Sequence, residues 1–216
     1  MGPALLDPAR RRALRRLPAL GAAALLGACS IGGAPRREFH LLRDAAAPGA
    51  PLPGPRIEQV LLVSAMAPPG LYDSDRMVFS ADGRGRSYFQ FGFWSERPAQ
   101  SLQALVETRL DRTGRFREVV SSTSGVRGDL LLSLRLDELY LDATQAPGQV
   151  RVIFSAELID WRQRKLLARR GFKAAAAANR DSADGLAEAA SLALGSALDE
   201  LATWAVTSAA AAAPAG

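Results

Sequence analysis

Two neighbouring segments, "DLLLSLRLDEL" and "QVRVIFSAELID", constrain the fold of this chain more than any other feature. In the first, Leu130, Leu132, Leu134 and Leu136 alternate with Leu131, Ser133, Arg135 and Asp137; the second alternates in the same way from Val150 to Leu158. Side chains of a strand point to opposite faces with period two, so each segment reads as a strand with one apolar face. The intervening "DATQAPG" is built of turn formers and joins the two as a long hairpin. Its apolar face has to be covered by something else in the chain.

Two amphipathic segments can supply that cover. Pro98 suits the first turn of a helix, Leu102, Leu105, Val106 and Leu110 follow at helical spacing, and Gly114 is placed to end it. A second helix starts near Ala183, capped by Ser182 or Asp181, with Leu186, Ala190, Leu194, Ala197, Leu198, Leu201 and Ala205 on one stripe and Trp204 near its end. Further strands are expected at Glu38–Leu42, Ile57–Ser64, Met77–Ser80, Tyr88–Phe93, in "FREVV" and in "LLARRGFKA". The alanine run Ala174–Ala178 favours helix and leaves the end of the last strand open. The sum is an α+β domain, a largely antiparallel sheet with two helices packed on one face.

The N-terminus has a different character. Arg10, Arg11, Arg12, Arg15 and Arg16 precede an apolar run from Leu17 to Leu26, the order of a secretory signal. As a helix that run would cover about 15 Å, half of a hydrocarbon core of about 30 Å, so it is too short to span a membrane. It ends at Leu26-Gly27-Ala28-Cys29, which resembles the lipobox of bacterial lipoproteins, and Cys29 is the chain's single cysteine. That resemblance implies that the Cys29 thiol carries diacylglycerol, that cleavage falls before it, and that the new amine is acylated, for example with palmitate. By resemblance to enterobacterial lipoprotein sorting, Ser30 in the following position, in place of aspartate, implies the periplasmic face of the outer membrane over the inner membrane. With residues 1–28 go five arginines and Asp7, four of the chain's five net positive charges. The isoelectric point near 10.1 therefore reflects the leader and gives no reason to expect a nucleic-acid partner. The expected organisation is a signal peptide over 1–28, a tether over 29–37, one domain over 38–208 and a flexible tail over 209–216.

Chemistry-bearing motifs are few. The only histidine, His40, lies in the first strand, and no serine sits in a G-x-S-x-G setting, which argues against a hydrolase. Asp73 and Asp75 beside Arg76 read as a solvated turn in preference to a carboxylate pair. "ADGRGRS" lies between two strands and opens no helix, so it is a hairpin tip and not a phosphate cradle. Arg162, Arg164 and Lys165 make a basic turn beside Trp161 that could touch lipid headgroups or a partner. No catalytic residue, metal ligand or cofactor site is expected.

Taken together, the lipobox, "REFHLL", "VLLVSAMAPPGLYDSDRMVF" with Leu71, Tyr72, Asp73, Arg76 and Val78, and "YFQFGFWSERPAQSLQALVETRL" with Trp94, Leu102 and Leu110 resemble the auxiliary lipoproteins of ABC-type transport systems. The later strands follow the same order; the chain departs from the family in "PPGLY", which lacks the usual proline before the tyrosine. The resemblance implies a noncatalytic subunit docking an MCE-domain protein, with a permease and an ATPase in the same system, while lipid, chiefly phospholipid, moves between the membranes. Tyr72, Asp73, Trp94 and Trp161 are the candidate partner-facing residues, and exposed sheet edges could pair between copies of the chain. A lipopolysaccharide-assembly lipoprotein is the rival binding role.

Overall fold

The computed structural model describes residues 36–45 and 51–212. In chain order they form β1 (Glu38–His40), β2 (Ile57–Ala65), a 3-10 turn (Gly70–Tyr72), β3 (Arg76–Ser80), β4 (Ser87–Trp94), α1 (Pro98–Arg112), β5 (Phe116–Ser121), β6 (Leu130–Asp142), β7 (Gln149–Asp160), β8 (Lys165–Ala177) and α2 (Ala183–Ala212). The class is α+β, as the patterning implies. No helix among the described residues is long and apolar enough to cross a membrane.

The expected hairpin forms, with Leu130 opposite Asp160 and Asp142 opposite Gln149. Between Leu136 and Glu138 the register slips by one residue, leaving Asp137 as a bulge. The bulge has a purpose visible in the sequence. Beyond it the inward leucines are Leu139 and Leu141, one step out of phase with Leu130 to Leu136, and the extra residue keeps both sets on the buried face. β8 adds to β7 and runs on through the alanines, with Val152 opposite Ala174 and Val150 opposite Ala176. Pairing overrides the helical preference of alanine here, and the small side chains let α2 lie close to this edge.

The sheet also holds parallel contacts that local alternation does not announce. β2 lies between β5 and β6, parallel to both. β3 is parallel to the far end of β6, through Phe79 and Leu141, and antiparallel to β4, and β1 pairs parallel with β4. One edge of β6 is therefore shared, Leu130–Leu134 with β2 and Leu141–Asp142 with β3. In the fork between them sits the 3-10 turn, whose Tyr72 is buried beside Glu138, Tyr140 and Arg86.

Both helices pack on one face of the sheet and touch each other. α2 buries Leu186, Leu194, Leu198 and Leu201 along with a row of alanines, and each fully buried leucine contributes roughly 1.5–3 kcal/mol. Its N-cap is Ser182, whose Oγ accepts from the Gly185 N–H at 3.2 Å. The alternative cap, Asp181, instead accepts from Gly148 N–H and secures the β6–β7 connection. The helix continues past residue 208 to Ala212, and Ala209 is buried, so the first part of the expected tail is helical and packed. Trp204 meets Phe172 edge-on at 5.7 Å, and Phe172 stacks on Phe154 at 5.1 Å.

Buried cations brace the loop side. Arg115 donates to the carbonyls of Pro53 and Pro55, and Gly54 (φ 121°) leaves room for the guanidinium that a Cβ there would meet at 2.9 Å. Arg109, 3% exposed on α1, is ion-paired with Asp44 in the segment after β1 and with Asp199 on α2.

Candidate interaction surfaces

β1 inverts the usual logic of an edge strand. His40 turns inward, with its side chain 11% exposed, whereas Phe39 (62% exposed) and Leu41 (53%) face outward. Leu192, 58% exposed, projects from α2 off the stripe that faces the sheet. The three line one open groove of about 730 Å³ between the β1 segment and α2, together with Arg43, Ala187 and Glu188. The β1 side of this groove is fixed: Arg43 N–H donates to Ser191 Oγ at 3.1 Å, Ala45 N–H to the Ser191 carbonyl, and Asp44 to Arg109 is a buried pair.

His40 Nδ1 lies 3.5 Å from Asp184 Oδ1 at the start of α2, with Glu38 close by; potential ligand atoms of these three residues fall within 4.8 Å of one another. Arg180 also pairs with Asp184, at 3.4 Å. The His40 Nε2 atom is buried and makes no hydrogen bond, so no hydroxyl is held against it as a serine nucleophile would be. The carboxylate at a helix N-terminus has a structural explanation in the helix dipole.

A second cleft, of about 690 Å³, opens at the other end of the sheet, where Arg56, Gln59, Arg117, Asp129 and Arg162 meet Ala210 of α2. Its charges are largely engaged. Arg56 donates to the Arg117 carbonyl, and Asp129 accepts from Val60 N–H and pairs with Arg162 at 3.5 Å.

The residues expected to face a partner divide into two groups. Trp94 (2% exposed) and Tyr72 (8%) are core residues, which corrects their assignment to an interface: a partner cannot reach them on this fold. The Trp94 backbone N–H donates to the Asp75 carbonyl at 2.6 Å, and burial pushes the Tyr72 hydroxyl above the ordinary tyrosine range, against the pull of the Arg86 hydrogen bond. Asp73 and Trp161 remain accessible. Asp73 pairs with Arg97 at 3.2 Å ahead of α1, and Trp161 sits under Arg164 at 4.5 Å on the β7–β8 turn. The two are not brought together, since Trp161 follows Asp160, opposite the start of β6, whereas Tyr72 meets residues toward its other end. Leu26, Gly27, Ala28 and Cys29 lie outside the described residues.

The motif "GLYDSDRM" is thus a structural bracket. It carries the chain from β2 to β3 across the fork, with Arg76 over the Tyr88 ring at 4.2 Å and Tyr88 Oη donating to the Leu71 carbonyl at 3.3 Å. This accounts for the resemblance in architectural terms. The sequence model described as ABC-type transport auxiliary lipoprotein component matches residues 40–202, from β1 into α2. The chain belongs to this family. No curated protein matches the sequence of this auxiliary lipoprotein. Among solved structures it is similar to protein XCC0632 from Xanthomonas campestris, at 19% identity and a TM-score of 0.73, over 81% of this chain and 97% of that one. A structure titled only as an uncharacterized protein is similar at 15% identity and a TM-score of 0.61, over 78% and 98% of the two chains. Both similarities concern the fold.

Sequence reasoning missed the exposed trio and the Arg109 pair. "EFHLL" reads as a strand whose apolar residues turn inward, and only the lone polar His40 between Phe39 and Leu41 hints at the inversion. Arg109 hides in the α1 stripe, three residues after Val106 and next to Leu110.

Proposed function

We propose that this auxiliary lipoprotein is a noncatalytic docking subunit, anchored through acylated Cys29 to the periplasmic face of the outer membrane. There it holds the far end of an MCE-domain assembly energised by an inner-membrane permease and ATPase. Lipid, chiefly phospholipid, would pass through that assembly between the membranes. The observation that carries this reading is the family match across nearly the whole folded domain. The separation of roles follows from chemistry: several acyl chains hold a protein at a membrane where one holds it marginally. The folded domain then contributes position and surface, and its partners contribute the work. Accessible Asp73 and Trp161, and the free edges of β1, β5 and β8, are the places for a partner or a second copy to contact.

Two measurements test the proposal separately. Affinity purification of the full chain from detergent-solubilised envelopes is expected to recover an MCE-domain protein; recovery of only a lipopolysaccharide-assembly barrel would sink the transport role. Cys29→Ala is expected to abolish acylation and release the protein from the outer-membrane fraction. Retention of the variant there through an acyl chain would refute the anchor.

A further inference from the structure

We propose that the face formed by Phe39, Leu41 and Leu192 rests on the lipid surface to which the chain is tethered; this builds on acylation at Cys29. Five large apolar side chains are strongly exposed among the described residues, and these three gather in one place. They are not left over from ordinary strand alternation, because β1 turns its polar residue inward to put them outside. The chain just after Leu41 is pinned by two amide N–H hydrogen bonds to Ser191 and by the Asp44–Arg109 pair, which lowers the ordering cost of presenting the patch.

The occupant follows from where the chain leads. Phe39 is ten residues after Cys29, a separation that the covalent chain limits to at most about 36 Å. Of the whole folded domain, this face is nearest along the chain to the anchor. A tether of that length keeps the surface at high local concentration, so a weak apolar contact is enough. The flanking charge suits phospholipid headgroups. Arg37 and Arg43 are exposed in the same segment, as is Glu38, while Asp184 is engaged by His40 and Arg180, and Glu188 accepts from Asn179. An aromatic ring and two leucines framed by arginines match the interfacial zone of a bilayer.

The test uses the full chain produced with its own leader, carrying Leu41→Cys or, as a control at the start of β8, Leu166→Cys. Each is labelled with an environment-sensitive fluorophore and reconstituted into phosphatidylethanolamine/phosphatidylglycerol vesicles with or without brominated acyl chains. The intact mass reports acylation at Cys29 independently. In acylated protein the probe at 41 is expected to be quenched at least about twofold more than the probe at 166, and Phe39→Ser with Leu192→Ser is expected to remove the difference. Equal quenching at both positions in acylated protein would overturn the proposal and leave the anchor standing. An unquenched probe at 41, together with unlabelled Leu41→Cys joined to a second copy by a bifunctional thiol-reactive crosslinker, would overturn it in favour of self-association. Protein lacking the acyl mass would refute the anchor itself.

Discussion

Replacing Arg109 by methionine removes a buried cation while keeping most of its aliphatic stem, which isolates the charge. The guanidinium is 3% exposed, and it faces Asp44, whose side chain is 11% exposed, and Asp199, which is 59% exposed. The Asp199 contact is screened by water and contributes about 0–1 kcal/mol. The Asp44 contact is desolvated on both sides, with Nε donating to Oδ2 at 2.9 Å, and removing one member of such a pair typically costs about 3–5 kcal/mol. At roughly 2–4 °C per kcal/mol for a domain of this size, Arg109→Met is expected to lower Tm by about 6–20 °C. Urea unfolding of the same variant is expected to show a lower midpoint with an unchanged slope. Because the loss is that of a desolvated Asp44 carboxylate, adding Asp44→Leu is expected to restore most of the stability. Hydrogen exchange adds a local readout, since the amides of Arg43 and Ala45 should lose protection together. A variant within about 1 kcal/mol of the parent, with those amides still protected, would refute the idea that this pair ties the β1 segment to the helices.

Gly54→Ala is expected to destabilise by about 1–3 kcal/mol in chemical denaturation, since φ 121° is strained for alanine and the new Cβ meets the buried Arg115 guanidinium. Ser182→Ala removes the N-cap of α2 and is expected to cost about 1 kcal/mol, read by thermal unfolding; a neutral result would mean that Asp181 can take over. For Tyr72 the folded state favours the neutral phenol, because burial raises its pKa above the ordinary 10.0. The folded protein then binds more protons than the unfolded one above that pH, so its contribution is intact below about pH 10 and is lost as pH rises through the raised pKa. Stability measured from pH 9 to 12 is expected to fall less steeply in Tyr72→Phe, and ultraviolet titration of the parent should show one phenol ionising late.

The hairpin and both helices were legible because their signals are local. Leu130 to Leu136, Val150 to Leu158 and the Leu186–Ala205 stripe each state a period within one segment, and each segment buries the face it declares. The parallel neighbours of β2 were not legible, because Leu61 meets Leu130 some seventy residues away and nothing in either segment names the other. The alanines of β8 pointed the wrong way locally, since alone they favour helix and only the ladder to β7 makes them a strand. At the candidate surfaces the difficulty was one of sign. Tyr72 and Trp94 stand out in the sequence as aromatic residues in recognisable motifs, yet they are there to fill the fork and the core. Phe39 and Leu41 look like ordinary core residues, and it is the burial of His40 that gives them away.

The Asp44–Arg109 pair also sets how the domain carries mechanical load from its N-terminal side. A pull there first meets β1, which is held to β4 by only three residue pairs, Glu38 to Gly92, Phe39 to Phe93 and His40 to Trp94. Such a short strand is the first element to yield under load. That yielding is arrested four residues later, where Asp44 pairs with Arg109 of α1 and the amides on either side of it donate to Ser191 of α2. Tension therefore has a yielding element in series with a stop, and the central sheet behind the stop is shielded from it.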